Sequence, residues 1–341
     1  MKRRILSFAL ALALLVSLCA CSKQDAESGA LKIYVSKDDY AMSTAAEAYK
    51  AAHPELSVDI VSFETYDALE TRLASELPAG GGPDVILVNR YMSGIDLRKL
   101  AVNGRLLPLN ELFEKDESFE REKYYAPVLD AGMIGGVQYT VPIAFSMPAF
   151  MATQDKMAEI GFAEKERISM DELFAVLAEE AEKTEGEKTK APVFFWTFSL
   201  STFLMASNAV RLDFAEKTVE ADREALHAFL DGFRFIYEAG KKQDAITSNI
   251  RTGEELAQWV AFFGEEFDPV IQFGNYLTVY YNKGGYRTQS FAVTGYGSDG
   301  YTARVMYEAA INRNTKNADA AFAFIREVMD GPAPQLTPDS Y

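Results

Sequence analysis

Over the first third of the chain, the spacing of hydrophobic positions switches repeatedly between a two-residue and a helical period. Lys32–Ser36 (KIYVS) alternates and is rich in branched and aromatic residues, which predicts a strand. Thr44-Ala-Ala-Glu47 has the form of a capping box and predicts a helix running to about Ala52, stopped by Pro54. Val58–Phe63 (VDIVSF) reads as a second strand, and Leu69, Leu73 and Leu77 form one stripe of a following helix. The glycines of PAGGGP (78–83) then lead into DVILV (84–88), a third strand. The order β-α-β-α-β is that of a parallel sheet covered by helices. In such sheets ligands sit beyond the carboxyl ends of the strands, so the segments after Ser36, Phe63 and Val88 are the first places to look.

The glycine run raises the question of a phosphate loop. In such loops the strand precedes the glycines and a helix follows them. Here the strand follows the glycines, and neither Gly-Lys-Ser/Thr nor G-x-G-x-x-G is present. The run reads as a turn feeding a buried strand.

Further along, Ser169-Met-Asp-Glu172 is a capped start for a helical, acidic region reaching Lys190. PVFFW (192–196) reads as a strand, and Val270–Asn282 is aromatic and strand-like. Asp222–Gly240 is amphipathic, with Leu226, Phe229, Leu230, Phe233 and Tyr237 on one face and Gly240 placed to end it. Asn317–Met329 is the last clear helix.

The amino terminus adds a separate signal. Lys2, Arg3 and Arg4 precede an uncharged run of 14 residues, Ile5–Leu18, which is a signal-peptide core and is too short for a membrane span of roughly 20 residues. It ends in Leu18-Cys19-Ala20-Cys21, which resembles the lipobox of bacterial lipoproteins. By that resemblance Cys21 is the lipidated first mature residue, residues 1–20 are the signal peptide, and residues 21–30 are a polar tether. The expected location is the cell membrane, lipid-anchored and facing outside the cytoplasm.

Composition narrows the chemistry. Cys19 and Cys21 are the only cysteines, so the folded part carries no disulfide, cysteine metal site or cysteine nucleophile. Without Lys2, Arg3 and Arg4 there remain 31 basic residues against 50 acidic ones, and no basic cluster that would favour nucleic acid. The two histidines, His53 and His227, have no partners at metal-ligand spacing, so no metal and no cofactor are expected. The length predicts two lobes.

Four stretches carry a family resemblance: GGGPDVILVN (80–89), NGRLLPLNELF (103–113), YTVPIA (139–144) continuing through AFMATQDKMAEIGF (149–162), and AAINRNTKNADAAFAFIREV (309–328). In order and spacing they resemble the extracellular solute-binding proteins of ABC transporters, most closely the family-1, maltose-binding-protein-like sugar binders. The likeness runs over roughly residues 31–330. ISMDEL (168–173) lacks the tryptophan that often precedes this helix, and only two tryptophans occur in total. Tyr341 also follows the last helix sooner than is usual, which bears on the stability of the second lobe.

The resemblance implies an α/β, two-lobed periplasmic-binding-protein-like (type II) fold, each lobe a mixed sheet flanked by helices. Hinge strands near Pro142–Met147 and Tyr307–Asn312 would let the lobes close on a ligand. Lobe 1 would be 31–143 plus 308–341, and lobe 2 would be 144–307. It further implies a monomeric, non-enzymatic receptor that hands a small solute, sugar first, to ABC permease subunits. A polyamine receptor of the same fold is one alternative, and a secreted lipoprotein glycosidase with paired carboxylates is another. Sugars are held by aromatic faces and by polar groups that meet their hydroxyls. The candidate ligand residues are therefore Asp39, Tyr40, Asn89, Tyr91, Phe145, Trp196 and Trp259. Arg90 is the single basic candidate near the strand ends.

Overall fold

The computed structural model describes residues 29–90, 92–183, 191–195, 200–213, 216–240, 260–267 and 285–331. The chain opens with β1 (Leu31–Ser36), α1 (Tyr40–Ala52), β2 (Val58–Phe63), α2 (Tyr66–Glu76) and β3 (Val85–Asn89). Short helices α3 (Leu97–Val102), α4 (Asn110–Lys115) and α5 (Ala126–Asp130) follow, then the small pair β4 (Met133–Ile134) and β5 (Val137–Gln138). A 14-residue strand, β6 (Thr140–Thr153), leads to α6 (Gln154–Glu159), β7 (Ile168–Ser169) and α7 (Met170–Lys183). Next come β8 (Ala191–Phe195), α8 (Leu200–Ala206), the hairpin β9 (Val210–Asp213) and β10 (Thr218–Ala221), and α9 (Arg223–Gly240). The series closes with β11 (Val260–Phe267), β12 (Thr288–Thr294), β13 (Arg304–Ile311) and α10 (Ala318–Asp330). Among the described residues no helix is long and apolar enough to cross a membrane.

One mixed sheet runs through the molecule in the order β2-β1-β3-β13-β6-β11-β8, with β12 also on β6 and β7 on β12. β1 pairs in parallel with β2 and β3, while β13 is antiparallel to both β3 and β6. The long β6 is shared. Thr140–Ser146 pair with β13, and Met147–Thr153 pair with β11 and β12. Strand alternation sorts the core residues of β1 and β3 onto opposite faces. Leu31, Ile33, Val35, Val85 and Leu87 pack with α1 and α10, whereas Tyr34, Ile86 and Val88 pack with Leu69, Leu73 and Leu97 from α2 and α3. A separate cluster forms around Phe150, Phe162, Phe203 and Phe229 on the second half of the molecule. Two packed centres about one shared strand make this an α/β, two-lobed, periplasmic-binding-protein-like fold.

Local signals explain the element boundaries. The box at Ser169 and Glu172 forms as expected: the Ser169 N–H donates to Glu172 and the Glu172 N–H donates back to Ser169 Oγ. The first helix differs from its expected start. It begins at Tyr40, because the Asp39 carboxylate caps it by accepting the Met42 N–H at 3.1 Å, and Thr44 lies inside the helix. The expected strand over 270–282 lies outside the described residues.

The glycine run turns the chain into β3 at the amino edge of the sheet. Gly80 and Gly82 have φ of 82° and 102°, and Asn312 Nδ2 donates to the carbonyls of Gly81 and Pro83, both at 2.9 Å. The neighbouring Asp84 accepts from the Lys32 N–H, the Thr315 hydroxyl and the Asn317 amide. These residues staple β1, β3 and the loop before α10 together, at the end of the sheet opposite the carboxyl ends of β1 and β3.

Candidate functional site

The carboxyl ends of β1 and β3 converge on a buried polar network. Asp39, Asn89 and Tyr307 are each 2% exposed and Tyr66 is 6% exposed. Asp39 uses one carboxylate oxygen to cap α1 and the other to accept the Tyr66 hydroxyl. Asn89 Nδ2 donates to the Tyr307 hydroxyl at 3.0 Å, and the Asn89 side chain also hydrogen-bonds Asp39. The Asn89 backbone N–H meets the Tyr66 oxygen. Burial pushes the Asp39 carboxyl above its usual range, and the Tyr66 hydroxyl, the Met42 N–H and the Asn89 amide pull it back. Burial, then the adjacent Asp39 charge, holds the Tyr66 phenol far above its ordinary value.

One residue further on, Arg90 forms an ion pair with Glu308, which is 2% exposed, and its N–H donates to the Met306 carbonyl at 2.8 Å. The single basic candidate near the strand ends is therefore occupied by the sheet itself.

Three aromatic side chains flank this network, two of them exposed. Tyr40 is 58% exposed in the first turn of α1. Phe145, half-buried on β6, meets the ring of Tyr125 edge-on with centroids 5.7 Å apart. Tyr125 is 73% exposed. An apolar ring face near polar side chains is the pairing that sugar recognition uses.

The two halves of the molecule also share a cavity of about 440 Å³. On one side stand Arg98, Asp130 and Met133, and on the other Arg211, Leu212 and Glu220 of the β9–β10 hairpin. A larger recess of about 950 Å³ lies against α2 and α3 and is lined also by Gly94 and Ile95 of the loop after β3. Among the described residues no group of three or more His, Cys, Asp or Glu is arranged to hold a metal.

Of the residues singled out in the sequence, Asp39 and Asn89 come together in the buried network, Tyr40 is exposed beside it, and Phe145 is half-buried against Tyr125. Tyr91, Trp196, Trp259 and Cys21 lie outside the described residues. Sequence reasoning missed Tyr125, Tyr66, Arg98 and Arg211, and placed Tyr307 at the start of a hinge strand without a part in the site. The available signal for Tyr125 was a tyrosine pair closing an acidic stretch just before a proline-led helix. Nothing local marks Tyr307, because only pairing with Asn89 across β3 and β13 brings it to the site.

Solved structures share this architecture. The sugar-binding protein MalE from the phytopathogen Xanthomonas citri matches with a TM-score of 0.65 at 16% identity, covering 88% of this chain and 75% of its own. A family 1 extracellular solute-binding protein from Alicyclobacillus acidocaldarius gives 0.62 at 17%, covering 88% and 74%. The ABC substrate-binding protein Lmo0181 from Listeria monocytogenes, solved with cycloalternan, gives 0.57 at 15%, covering 89% and 75%. No curated protein matches the chain in sequence. The family model described as bacterial extracellular solute-binding protein matches residues 35–329, nearly the whole folded part, and the chain belongs to that family.

Proposed function

We propose that this protein is the lipid-anchored receptor of an ABC importer and that it captures a carbohydrate, in the first place an oligosaccharide, between its lobes. The observation that carries this reading is the aromatic set of exposed Tyr40 and Tyr125 with half-buried Phe145 beside the carboxyl edge of a solute-binding fold. The sugar-binding neighbour from Xanthomonas and the cycloalternan complex from Listeria support the same solute class. Lobe 1 comprises 31–143 plus 308–341 and lobe 2 comprises 144–307, with closure about β6 and β13. Ring faces cover the C–H side of the sugar, and polar groups of the loops that follow the strand ends meet its hydroxyls. Tyr91, Trp196 and Trp259 complete the proposed contacts.

The protein binds its solute unchanged and passes it to permease subunits as a monomer. Cys21 carries the acyl chains, which hold the receptor at the outer face of the membrane.

Thermal unfolding of the mature chain against oligosaccharides, polyamines and amino acids tests the reading. A bound sugar at 100 times its Kd stabilises the fold by about 2.7 kcal/mol. Tyr125→Ala should remove most of that shift, and the sugar should be recovered intact by chromatography. A shift with polyamines alone would overturn the sugar. Recovery of a Cys21→Ser variant in the membrane fraction would overturn the anchor.

A further inference from the structure

The polar network at the carboxyl edge does more than cap helices. Asp39 needs only one oxygen to cap α1, yet its second oxygen accepts the Tyr66 hydroxyl and its carboxylate also meets the Asn89 amide. Asn89 in turn holds Tyr307, which belongs to β13, a strand distant in sequence that pairs with β6. Four polar side chains from four segments are thus buried together, an arrangement that is favourable only while every partner is in place.

Tyr307 sits where the β13–β6 ladder is irregular. Between Val305 and Glu308 the register slips twice, opposite Phe145, Ala144 and Pro142 of β6. Just beyond the slip, after Ser146, β6 passes from its pairing with β13 to its pairing with β11 and β12. A change of twist at this slip moves the Tyr307 hydroxyl, and Asn89 and Asp39 must follow or lose their partners.

From this geometry we infer that Tyr307, Asn89, Tyr66 and Asp39 are positioning residues that couple the β6–β13 crossing to the two loops carrying the candidate solute contacts. Asp39 precedes Tyr40 and fixes the start of α1. Asn89 ends β3 immediately before the loop that leads to α3. The network therefore transmits the state of the crossing to both loops without itself touching solute. The assignment rests on the solute-binding reading only in naming what those loops contact.

Hydrogen–deuterium exchange on the mature chain, without solute, tests the coupling. Tyr307→Phe removes one hydroxyl and keeps the ring. We expect about fivefold faster exchange at residues 40–43 and 92–95 as well as within β13, the factor for losing one ordinary hydrogen bond. Thr315→Val serves as a control, since it removes the hydroxyl that donates to Asp84 and accepts the Asn317 N–H at the amino edge and should leave both loops unchanged. If Tyr307→Phe accelerates exchange only in β13, or equally everywhere including α7, the coupling is overturned.

Maltotriose supplies a second readout by calorimetry and stopped-flow. Tyr307→Phe should weaken its binding about three- to tenfold through faster release, and an unchanged release rate would count against the coupling. Failure of the unsubstituted chain to bind maltotriose would count against that sugar alone, and the exchange pattern would still decide the coupling.

Discussion

The two halves of the molecule bury aliphatic and aromatic side chains in different proportion. Around β1 and β3 the centre is largely aliphatic, with Ile33, Val85, Leu87 and Ile86 on the strands and Leu69, Leu73 and Leu97 on the helices. Around the second half of β6 rings take a larger share, set among Met157, Ile168, Leu173 and Leu177. Phe150 stacks on Phe291 at 5.7 Å and meets Phe203 edge-on at 5.7 Å, while Phe229 and Phe233 stack at 5.8 Å. Polar ties differ as well. Lobe 1 buries the Asp39 network, the Arg90–Glu308 pair and Arg326, whereas the second half holds Glu180 between Lys156 and Lys183. A branched aliphatic centre is assembled from neighbouring strands by simple alternation. A ring-built centre depends on the relative orientation of distant segments, and removal of one ring deprives several others of contact.

Phe150→Ala should be the most damaging single truncation, because Phe150 is fully buried between Phe203 and Phe291. We expect a loss of about 4 kcal/mol in urea unfolding, against about 3 kcal/mol for Ile33→Ala in lobe 1. A larger loss at Ile33 would break the comparison.

Arg326→Ala should cost about 2–3 kcal/mol, since it leaves Asp116, Tyr124 and Asp330 without their shared donor and uncovers the Phe119 ring. Glu180→Ala in the second half should cost less, because its Lys183 partner is half-exposed. Equal losses would show that the polar ties do not distinguish the halves.

Gly82→Ala should cost about 1–2 kcal/mol, read as a lower midpoint in thermal unfolding. Its φ of 102° disfavours any Cβ, and that atom would come within 3.3 Å of Leu77 Cδ2. The effect should appear in lobe 1 alone.

The smallest expected effect is a pH-dependent one. His53 closes α1 against α10, with its ring nitrogens on Glu327 at 2.7 Å and Glu55 at 3.1 Å, and these bonds raise its pKa. A raised folded-state value means that protonation stabilises the fold. That contribution is complete below the ordinary histidine value and disappears as pH rises through the folded-state value. The midpoint difference between the protein and His53→Gln should therefore be present at about pH 6 and absent at about pH 9. A difference that grows with pH would reverse the assignment.

Much of lobe 1 was legible in the sequence. β1, β2 and β3 and the leucine stripe of α2 follow from local period, as does the box at Ser169 in the second half from capping chemistry. The start of α1 was misread because two caps competed within five residues. Asp39 prevailed through a tertiary partner, Tyr66, that no local rule reveals.

Four stretches of the sequence carried the family resemblance, and the sequence by itself determined the β-α-β order and the turn-forming role of the glycines. These depend on spacing along the chain, where alternation, capping and glycine conformation act within a few residues. Only the tertiary structure decided that Asp39 is buried in a network, that Arg90 is occupied by Glu308, and that Tyr125 stands against Phe145. Each of those depends on strands and loops separated by many residues being brought side by side, and sheet order is set by packing across the whole lobe.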